Sequence, residues 1–140
     1  MYRCSACGAF NRVAEGHTGE PICGRCKRPL DTSGAPQAVN AEALARAAAS
    51  SPVPVVVDVW APWCPPCRAV SPVLDQIAKE RRGKVVVLKV NSDESPLPHL
   101  GIQAIPTFLI YKGGREIDRK SGALPKHLLD AWIAESAAAG

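Results

Sequence analysis

The chain has 140 residues, of which 46% are hydrophobic, and a formal net charge of +4 at pH 7. This length allows one well-packed core with a small appendage and excludes two full-sized domains. Five Lys/Arg and three Asp/Glu leave residues 1–34 with a net charge of +2, and no block of like charge indicates a nucleic-acid or membrane surface. We therefore expect neither a nucleic-acid partner nor membrane binding.

The N-terminal residues and the number of cysteines indicate the cellular compartment in which the protein is expected. The first residues hold no apolar stretch typical of a secretory signal, and no run approaches the length that spans a membrane. The sequence therefore predicts a cytoplasmic protein. Structural disulfides rarely persist in the cytoplasm, so the six cysteines are expected to be metal ligands or catalytic thiols.

Two Cys-x-x-Cys pairs open the chain. They are Cys4 with Cys7 and Cys23 with Cys26, separated by the fifteen residues 8–22. Each short loop turns two sulfurs toward one metal, so the spacing predicts a ribbon that binds one structural Zn²⁺ per chain. Two disulfides in a secreted mini-domain are the alternative, which the missing signal disfavours. His17 lies between the pairs, but four thiolates already complete a tetrahedral shell.

The segment after the cysteine pairs is rich in turn-forming residues. Residues 29–38 are therefore predicted to be a linker, with the domain boundary between a zinc ribbon, residues 1–34, and a main domain, residues 35–140. Asn40 is a suitable N-cap for an alanine-rich helix over residues 41–50.

A valine-rich run leads directly into the sequence Trp-Ala-Pro-Trp-Cys-Pro-Pro-Cys. The run predicts a strand over residues 54–60 that is buried on both faces, and the segment after Cys67 predicts a helix. Cys64 is therefore expected at a helix N-terminus, where unpaired backbone N–H groups and the helix dipole stabilise its thiolate. A thiolate at neutral pH is a nucleophile toward disulfides.

The helix after the cysteines carries an apolar stripe with a period of about 3.6 residues and is predicted to end at Gly83. Val85–Val90 is a second apolar strand. Because a strand, a long helix and another strand follow one another, we expect a right-handed crossover between two parallel strands.

The C-terminal third predicts three further elements. One helical turn is expected within Ser95–Leu100, and a hairpin is expected over Thr107–Tyr111 and Arg115–Lys120. A last helix runs from Pro125 to about Ala134. Together with the preceding elements, this pattern predicts an α/β fold.

Asp58 lies among the valines of the first buried strand, where an isolated ionised carboxylate costs on the order of several kcal/mol. Its pKa should therefore be raised, which makes Asp58 a candidate general base for Cys67 near neutral pH. The alternative is a structural carboxylate held by Lys89 on the neighbouring strand. The two roles are compatible, because Lys89 can tune Asp58 while Asp58 acts on Cys67.

The predicted cycle begins when Cys64 attacks a substrate disulfide and forms a mixed disulfide. Cys67, deprotonated by Asp58 through a water molecule, then attacks the Cys64 sulfur and releases the reduced substrate. Half of a second zinc site is the alternative for the two cysteines, but His99 and His127 are not spaced to complete it.

The order and spacing of several motifs resemble the thioredoxin family across residues 35–140. These motifs are Trp-Ala-Pro-Trp-Cys-x-Pro-Cys after the valine-rich strand, then Lys-Val-Asn, Gly-Ile-Gln-Ala-Ile-Pro-Thr, Lys-Gly-Gly and Ser-Gly-Ala. With the cysteine pairs in front, the chain is similar to the zinc-ribbon-bearing second thioredoxins of bacteria. The resemblance implies a thioredoxin fold, in which helices flank a central mixed sheet, and a monomeric protein-disulfide reductase without an organic cofactor. It also implies a flavin- and NADPH-dependent thioredoxin reductase as electron source.

The resemblance also implies a substrate-binding surface around the dithiol. Ile105-Pro106 matches the family's cis-proline, whose preceding residue offers backbone hydrogen bonds to a substrate chain, and Gly122-Ala123 matches a further contact loop. Trp60 is expected in the core, whereas Trp63 is expected to cover the site, either contacting substrate or only packing.

The dipeptide between the active cysteines departs from the family's usual Gly-Pro. Pro65-Pro66 removes a backbone N–H and stiffens the turn, so the reduction potential and partner range are expected to differ from those of the family. A protein-disulfide oxidase or isomerase is therefore one alternative function, disfavoured by the missing export signal. A ribbon-based adaptor for protein or nucleic acid is another, disfavoured by the small net charge of the ribbon.

Overall fold

The computed structural model describes residues 1–139, and no helix in that range is long and apolar enough to cross a membrane. The strands are β1 (Tyr2–Arg3), β2 (Phe10–Asn11), β3 (Gln37–Ala38), β4 (Val55–Trp60), β5 (Val86–Asn91), β6 (Thr107–Lys112) and β7 (Arg115–Ser121). The helices are α1 (Ala41–Ser50), α2 (Pro65–Glu80) and α3 (Lys126–Ala138), with a 3-10 turn at Pro98–Leu100.

Five strands form one mixed sheet in the order β3-β5-β4-β6-β7. β4 and β5 are parallel, as the strand-helix-strand pattern predicts, and β6 is antiparallel to both β4 and β7. Side chains of α2 and α3 pack on one face of the sheet, and those of α1 pack on the other. The predicted α/β class, with helices on both faces of a central mixed sheet, is confirmed.

The burial of the valines in β4 explains why the sequence of this strand is almost continuously apolar. Each of them is at most 1% exposed, because the strand is central and both faces of the sheet are covered. β4 ends at Trp60, and the chain then turns into α2 through Cys64. The centre of the sheet therefore fixes the start of the helix that carries the cysteines.

Several element boundaries differ from the sequence prediction, among them the end of α2, which lies at Glu80 and not at Gly83. Gln37–Ala38, predicted as part of a linker, forms β3 and pairs in parallel with β5. An edge strand of two residues has no side-chain periodicity that would reveal it. α3 continues to Ala138 rather than ending near Ala134, because the alanines after Trp132 are strong helix formers.

The N-terminal segment contacts the end of α2 and the turn that follows it. The Met1 amino group donates a 2.8 Å hydrogen bond to the Gly83 carbonyl. Gly34 has a φ of +80°, and a Cβ there would lie 2.5 Å from the Cβ of Arg82. Only glycine fits this approach without a displacement of the backbone.

A reciprocal pair of hydrogen bonds joins the N-terminal segment to the sheet edge. The Arg3 guanidinium donates to the Gln37 side-chain oxygen over 2.7 Å, and the Gln37 side-chain amide donates to the Arg3 carbonyl over 2.9 Å. The contacts of Met1 and Gly34 lie at the C-terminal end of α2, whereas Cys64 caps its N-terminus. Since α2 has 16 residues, the two ends are about 24 Å apart.

Candidate active site and metal centre

Cys64 is the N-cap of α2, in extended backbone conformation. Pro65 and Pro66 occupy the first two helical positions, where a backbone N–H would have no partner within the helix. The third position is Cys67, whose N–H donates to the Cys64 sulfur over 3.3 Å. Cys67 is thus the first residue of the helix whose N–H stabilises a Cys64 thiolate.

Cys64 and Cys67 form a disulfide at this turn. Their exposed fractions of 3% and 2% differ too little to separate an attacking from a resolving thiol. The contacts separate them instead, since the Cys64 sulfur receives the Cys67 N–H and also lies 3.8 Å from the Ile105 carbonyl oxygen. Two cysteines in a Cys-x-x-Cys pair that form a disulfide at a helix N-terminus are a site for thiol–disulfide exchange.

The Ile105-Pro106 peptide bond is cis, as the resemblance implies. Gly122, with a φ of +95°, donates its N–H to the Pro106 carbonyl over 2.8 Å and so brings residues 122–123 beside the cis-proline. Cys64 and Cys67, the cis-proline segment Ile105-Pro106 and the loop at residues 122–123 therefore lie together at one end of the sheet.

Trp63 is 64% exposed and is oriented by a residue that sequence reasoning missed. Its indole N–H donates to the carboxylate of Asp93 over 3.0 and 3.2 Å, and Asp93 is itself placed by the side chain of Asn91. No spacing in the sequence signals this pair, because the two residues come from different loops. Trp63 also lines an apolar groove of about 410 Å³ whose other wall includes Leu97 and Ile102.

Asp58 is 1% exposed on β4, directly opposite Lys89 of β5. Within residues 1–139, neither of its carboxylate oxygens has a hydrogen-bond partner. Burial raises the pKa of Asp58 to about 7, against a smaller lowering by Lys89 and a small further increase from Asp75. The predicted increase is confirmed, and its cause is desolvation.

Lys89 does not hold Asp58 through an ion pair in the described part of the chain. Its ammonium donates to the Ser71 hydroxyl over 3.1 Å and lies 4.8 Å from the centroid of the Trp60 ring. Lys89 therefore acts on Asp58 without a direct ion pair, lowering the pKa of that carboxyl, while a hydroxyl and an aromatic face contact the cation. Ser71 and Asp75 carried no signal in the sequence.

The four N-terminal cysteines meet at one point, with all their sulfurs within 4.8 Å of one another. The sulfurs of Cys4 and Cys26 are 3.7 Å apart, and those of Cys7 and Cys23 are 3.6 Å apart. A tetrahedron with Zn–S bonds of about 2.3 Å has edges of about 3.8 Å, so these distances fit a metal ion.

Hydrogen-bond donors around Cys23 favour its thiolate form. The N–H groups of Cys26 and Arg25 and the Asn11 side-chain amide lower the pKa of Cys23 to about 6. The Asn11 amide nitrogen lies 3.5 Å from the Cys23 sulfur. Four clustered sulfurs with such donors can hold a metal ion.

The fold and the dithiol together define a thiol–disulfide oxidoreductase. The Thioredoxin family model matches residues 35–135, and the chain belongs to the thioredoxin family. Thioredoxin 1 of Nostoc sp. is 52% identical over 85 residues, which cover 59% of this chain and 79% of that protein. The thioredoxin of Synechocystis sp. is 49% identical over 85 residues, with the same coverage. The chloroplastic M-type thioredoxin of Chlamydomonas reinhardtii is 46% identical over 91 residues, which cover 64% of this chain and 65% of that protein.

Proposed function

We propose that this thioredoxin-family protein is a cytoplasmic protein-disulfide reductase that a thioredoxin reductase returns to its dithiol form. The observation that carries the proposal is the Cys67 N–H directed at the Cys64 sulfur, beside an exposed Trp63 and the cis-proline. In the reduced protein this N–H stabilises the Cys64 thiolate, next to a surface that a disulfide-bearing polypeptide can reach. No organic cofactor is needed for this exchange.

In the proposed cycle, the Cys64 thiolate attacks one sulfur of a substrate disulfide and expels the other as a thiolate. The Cys67 thiolate then attacks the Cys64 sulfur and expels the second substrate thiolate. Two electrons pass from the dithiol to the substrate, and the Cys64–Cys67 disulfide remains. The expelled thiolates take their protons from solvent or from neighbouring acids.

The second step requires that Cys67 lose its proton inside the protein. We assign this proton to Asp58 through a water molecule, because a buried carboxyl with a pKa of about 7 exchanges protons at the pH of the reaction. Lys89 tunes Asp58 from the neighbouring strand, where it lowers the pKa of that carboxyl.

Substrate binding is assigned to the surface that surrounds the dithiol. The Ile105 main chain would pair with an extended substrate segment, while Trp63 and the loop at Gly122-Ala123 would flank it. The rigid turn at Pro65-Pro66 forms the remaining side. Because these groups are largely uncharged, they suit a range of disulfide-bearing proteins.

The N-terminal segment, residues 1–34, is proposed to be a zinc ribbon that precedes the redox domain, residues 35–140. Cys4, Cys7, Cys23 and Cys26 would hold one Zn²⁺ as a closed structural site. The metal would supply folding energy to a segment whose own core is small. We further propose that the protein is a monomer.

A coupled assay tests the proposed reaction. With NADPH and a bacterial thioredoxin reductase, the protein is expected to reduce a protein disulfide such as that of insulin catalytically, with oxidation of one NADPH per disulfide. Redox titration of the Cys64–Cys67 pair against glutathione should give a reduction potential well below the range of about −120 to −180 mV that is typical of disulfide oxidases and isomerases. A potential within that higher range, at which cytoplasmic glutathione keeps the pair reduced, would instead support the oxidase or isomerase alternative.

Asp58→Asn is expected to stabilise the protein at neutral pH while it slows disulfide reduction at least roughly tenfold. Because the pKa of Asp58 is raised from 3.8 to about 7 on folding, the ionised carboxylate destabilises the fold. The penalty is absent below about pH 4, grows up to about pH 7 and then stays constant. It amounts to roughly 4 kcal/mol at most. Urea unfolding at pH 3.5 and pH 7.5 measures it.

A matched control is Asp75→Asn, the same chemical change on α2. This variant should keep most of the loss of stability between pH 4 and pH 7, since Asp58 is still present and Asp75 supplies only a small part of the increase in its pKa. An Asp58→Asn protein that is less stable at pH 7.5 would show that the carboxylate holds the core together. A reduction rate that matches the parent across the pH range would leave Asp58 without a catalytic role.

A further inference from the structure

The Lys89 ammonium does not pair with the carboxylate that the strand register places beside it. Lys89 pairs in register with Asp58 on the adjacent parallel strand, so both side chains leave the same face of the sheet. The nearest opposite charge to the ammonium should therefore be the Asp58 carboxylate. In residues 1–139, however, the two groups form no ion pair, and both carboxylate oxygens lack a hydrogen-bond partner.

Two contacts account for the direction of the Lys89 side chain. The ammonium donates to the Ser71 hydroxyl over 3.1 Å. It also lies 4.8 Å from the centroid of the Trp60 ring, within the range of a cation–π contact. Ser71 is half-buried on α2 and is one helical turn after Cys67. Residues four apart share a helix face, so this hydroxyl faces the same region as the redox-active cysteine.

We propose that Ser71 is a positioning residue that draws the Lys89 ammonium away from Asp58 and so sets the pH at which Asp58 accepts a proton. The proposal deepens the proton transfer proposed above and rests on it for its catalytic meaning. Within residues 1–139, Ser71 makes no hydrogen bond to the sulfur of Cys64 or Cys67. It acts through Lys89.

Few charged groups compete with Lys89 for influence on Asp58. The titratable or charged groups on this side of the sheet include Lys89 on β5, Cys67 and Asp75 on α2, and Asp118 and the exposed Lys120 on β7, whereas β6 places Phe108 opposite Asp58. Asp118 accepts a hydrogen bond from Trp132 of α3, and Asp130 of α3 pairs with Arg81 of the α2 end. Of these, Lys89 favours the ionised carboxylate and Asp75 opposes it. The position of the Lys89 ammonium is therefore the variable that Ser71 can change.

Loss of the Ser71 hydroxyl should let the ammonium approach Asp58. Moving a unit charge from about 6 Å to about 4 Å from a carboxylate, at an effective dielectric constant of about 20, changes the protonation equilibrium about tenfold. Ser71→Ala should therefore lower the midpoint of Asp58 titration by about one pH unit. Ser71→Thr keeps a hydroxyl and should remain close to the parent.

The test is a carbon-13 NMR titration of the Asp58 carboxyl in the full-length, disulfide-bonded protein, in which Cys64 and Cys67 do not titrate. The variants are Ser71→Ala, Ser71→Thr, Lys89→Met and the double variant Ser71→Ala/Lys89→Met. The downward shift with Ser71→Ala should vanish in the Lys89→Met background, because Ser71 acts through the lysine. An unchanged or higher midpoint for Ser71→Ala alone, or an equal shift in both backgrounds, would overturn the proposal.

The pH dependence of disulfide reduction separates this proposal from the proposed function. If Asp58 takes the Cys67 proton, the acid limb of the rate profile should shift with Ser71→Ala by the same amount as the NMR midpoint. A shifted NMR midpoint with an unshifted rate profile would refute the role of Asp58 in catalysis and leave the positioning role of Ser71 intact.

Discussion

Cys64→Ser is expected to reduce protein-disulfide reduction to the uncatalysed rate, whereas Cys67→Ser is expected to trap substrates as mixed disulfides on Cys64. The reason is the hydrogen bond from the Cys67 N–H to the Cys64 sulfur, which favours the thiolate at Cys64. This N–H remains when the Cys67 side chain is changed, so the attacking thiolate survives in that variant. Mass spectrometry of each variant after incubation with an oxidised substrate protein measures the adducts.

Reduction by dithiothreitol should release the trapped substrate and serves as the control for covalent capture. Alkylation of the reduced parent protein adds an independent check, because the thiol with the more stabilised anion reacts first at neutral pH. Faster alkylation of Cys67 than of Cys64 would reverse the order of attack and contradict the proposed cycle.

The Cys64→Ser/Cys67→Ser double variant should retain one zinc ion per chain, and the Cys4→Ser/Cys23→Ser double variant should retain none. The first pair lies at the N-terminus of α2, whereas the second belongs to the four-sulfur cluster. Metal analysis of the purified variants gives the stoichiometry directly.

Loss of the metal should also unfold the ribbon. Cys4, Cys23 and Leu30 are the buried residues of its core cluster, which is too small to offset the entropy of ordering the segment. Binding of Zn²⁺ to four thiolates contributes about 10–16 kcal/mol at pH 7, so folding of the ribbon and metal binding should be lost together. Two results would contradict the assignment. One is that residues 1–34 keep the NMR signals of a folded segment after a chelator removes the zinc. The other is that the zinc content falls in the Cys64→Ser/Cys67→Ser variant.

The elements that carry the chemistry were predictable because each has a local cause. The valines of β4 mark a strand buried on both faces, and the dithiol directly after it marks the start of a helix. The cluster of the first four cysteines was predictable because each Cys-x-x-Cys loop is short and turns both of its sulfurs toward one point. The raised pKa of Asp58 followed from its apolar neighbours along the strand. The cis bond before Pro106 came from the resemblance and not from the residues themselves.

The contacts that orient these groups were not predictable, since they join residues far apart in the chain. Ser71 meets Lys89 across 18 positions, and Trp63 meets Asp93 across 30. Neither pair has a spacing that any local rule would single out. The same holds for β3, whose two residues pair with β5 only because the chain from the ribbon passes along the edge of the sheet.

The attachment of residues 1–34 near the C-terminal end of α2 has a consequence for access to the dithiol. Met1 and Gly34 contact Gly83 and Arg82, about 24 Å along the helix from Cys64. Both ends of residues 1–34 are therefore attached at the pole of the redox domain opposite the dithiol. This attachment leaves Trp63 at the other pole exposed, so a disulfide-bearing polypeptide can reach the dithiol while the segment stays attached.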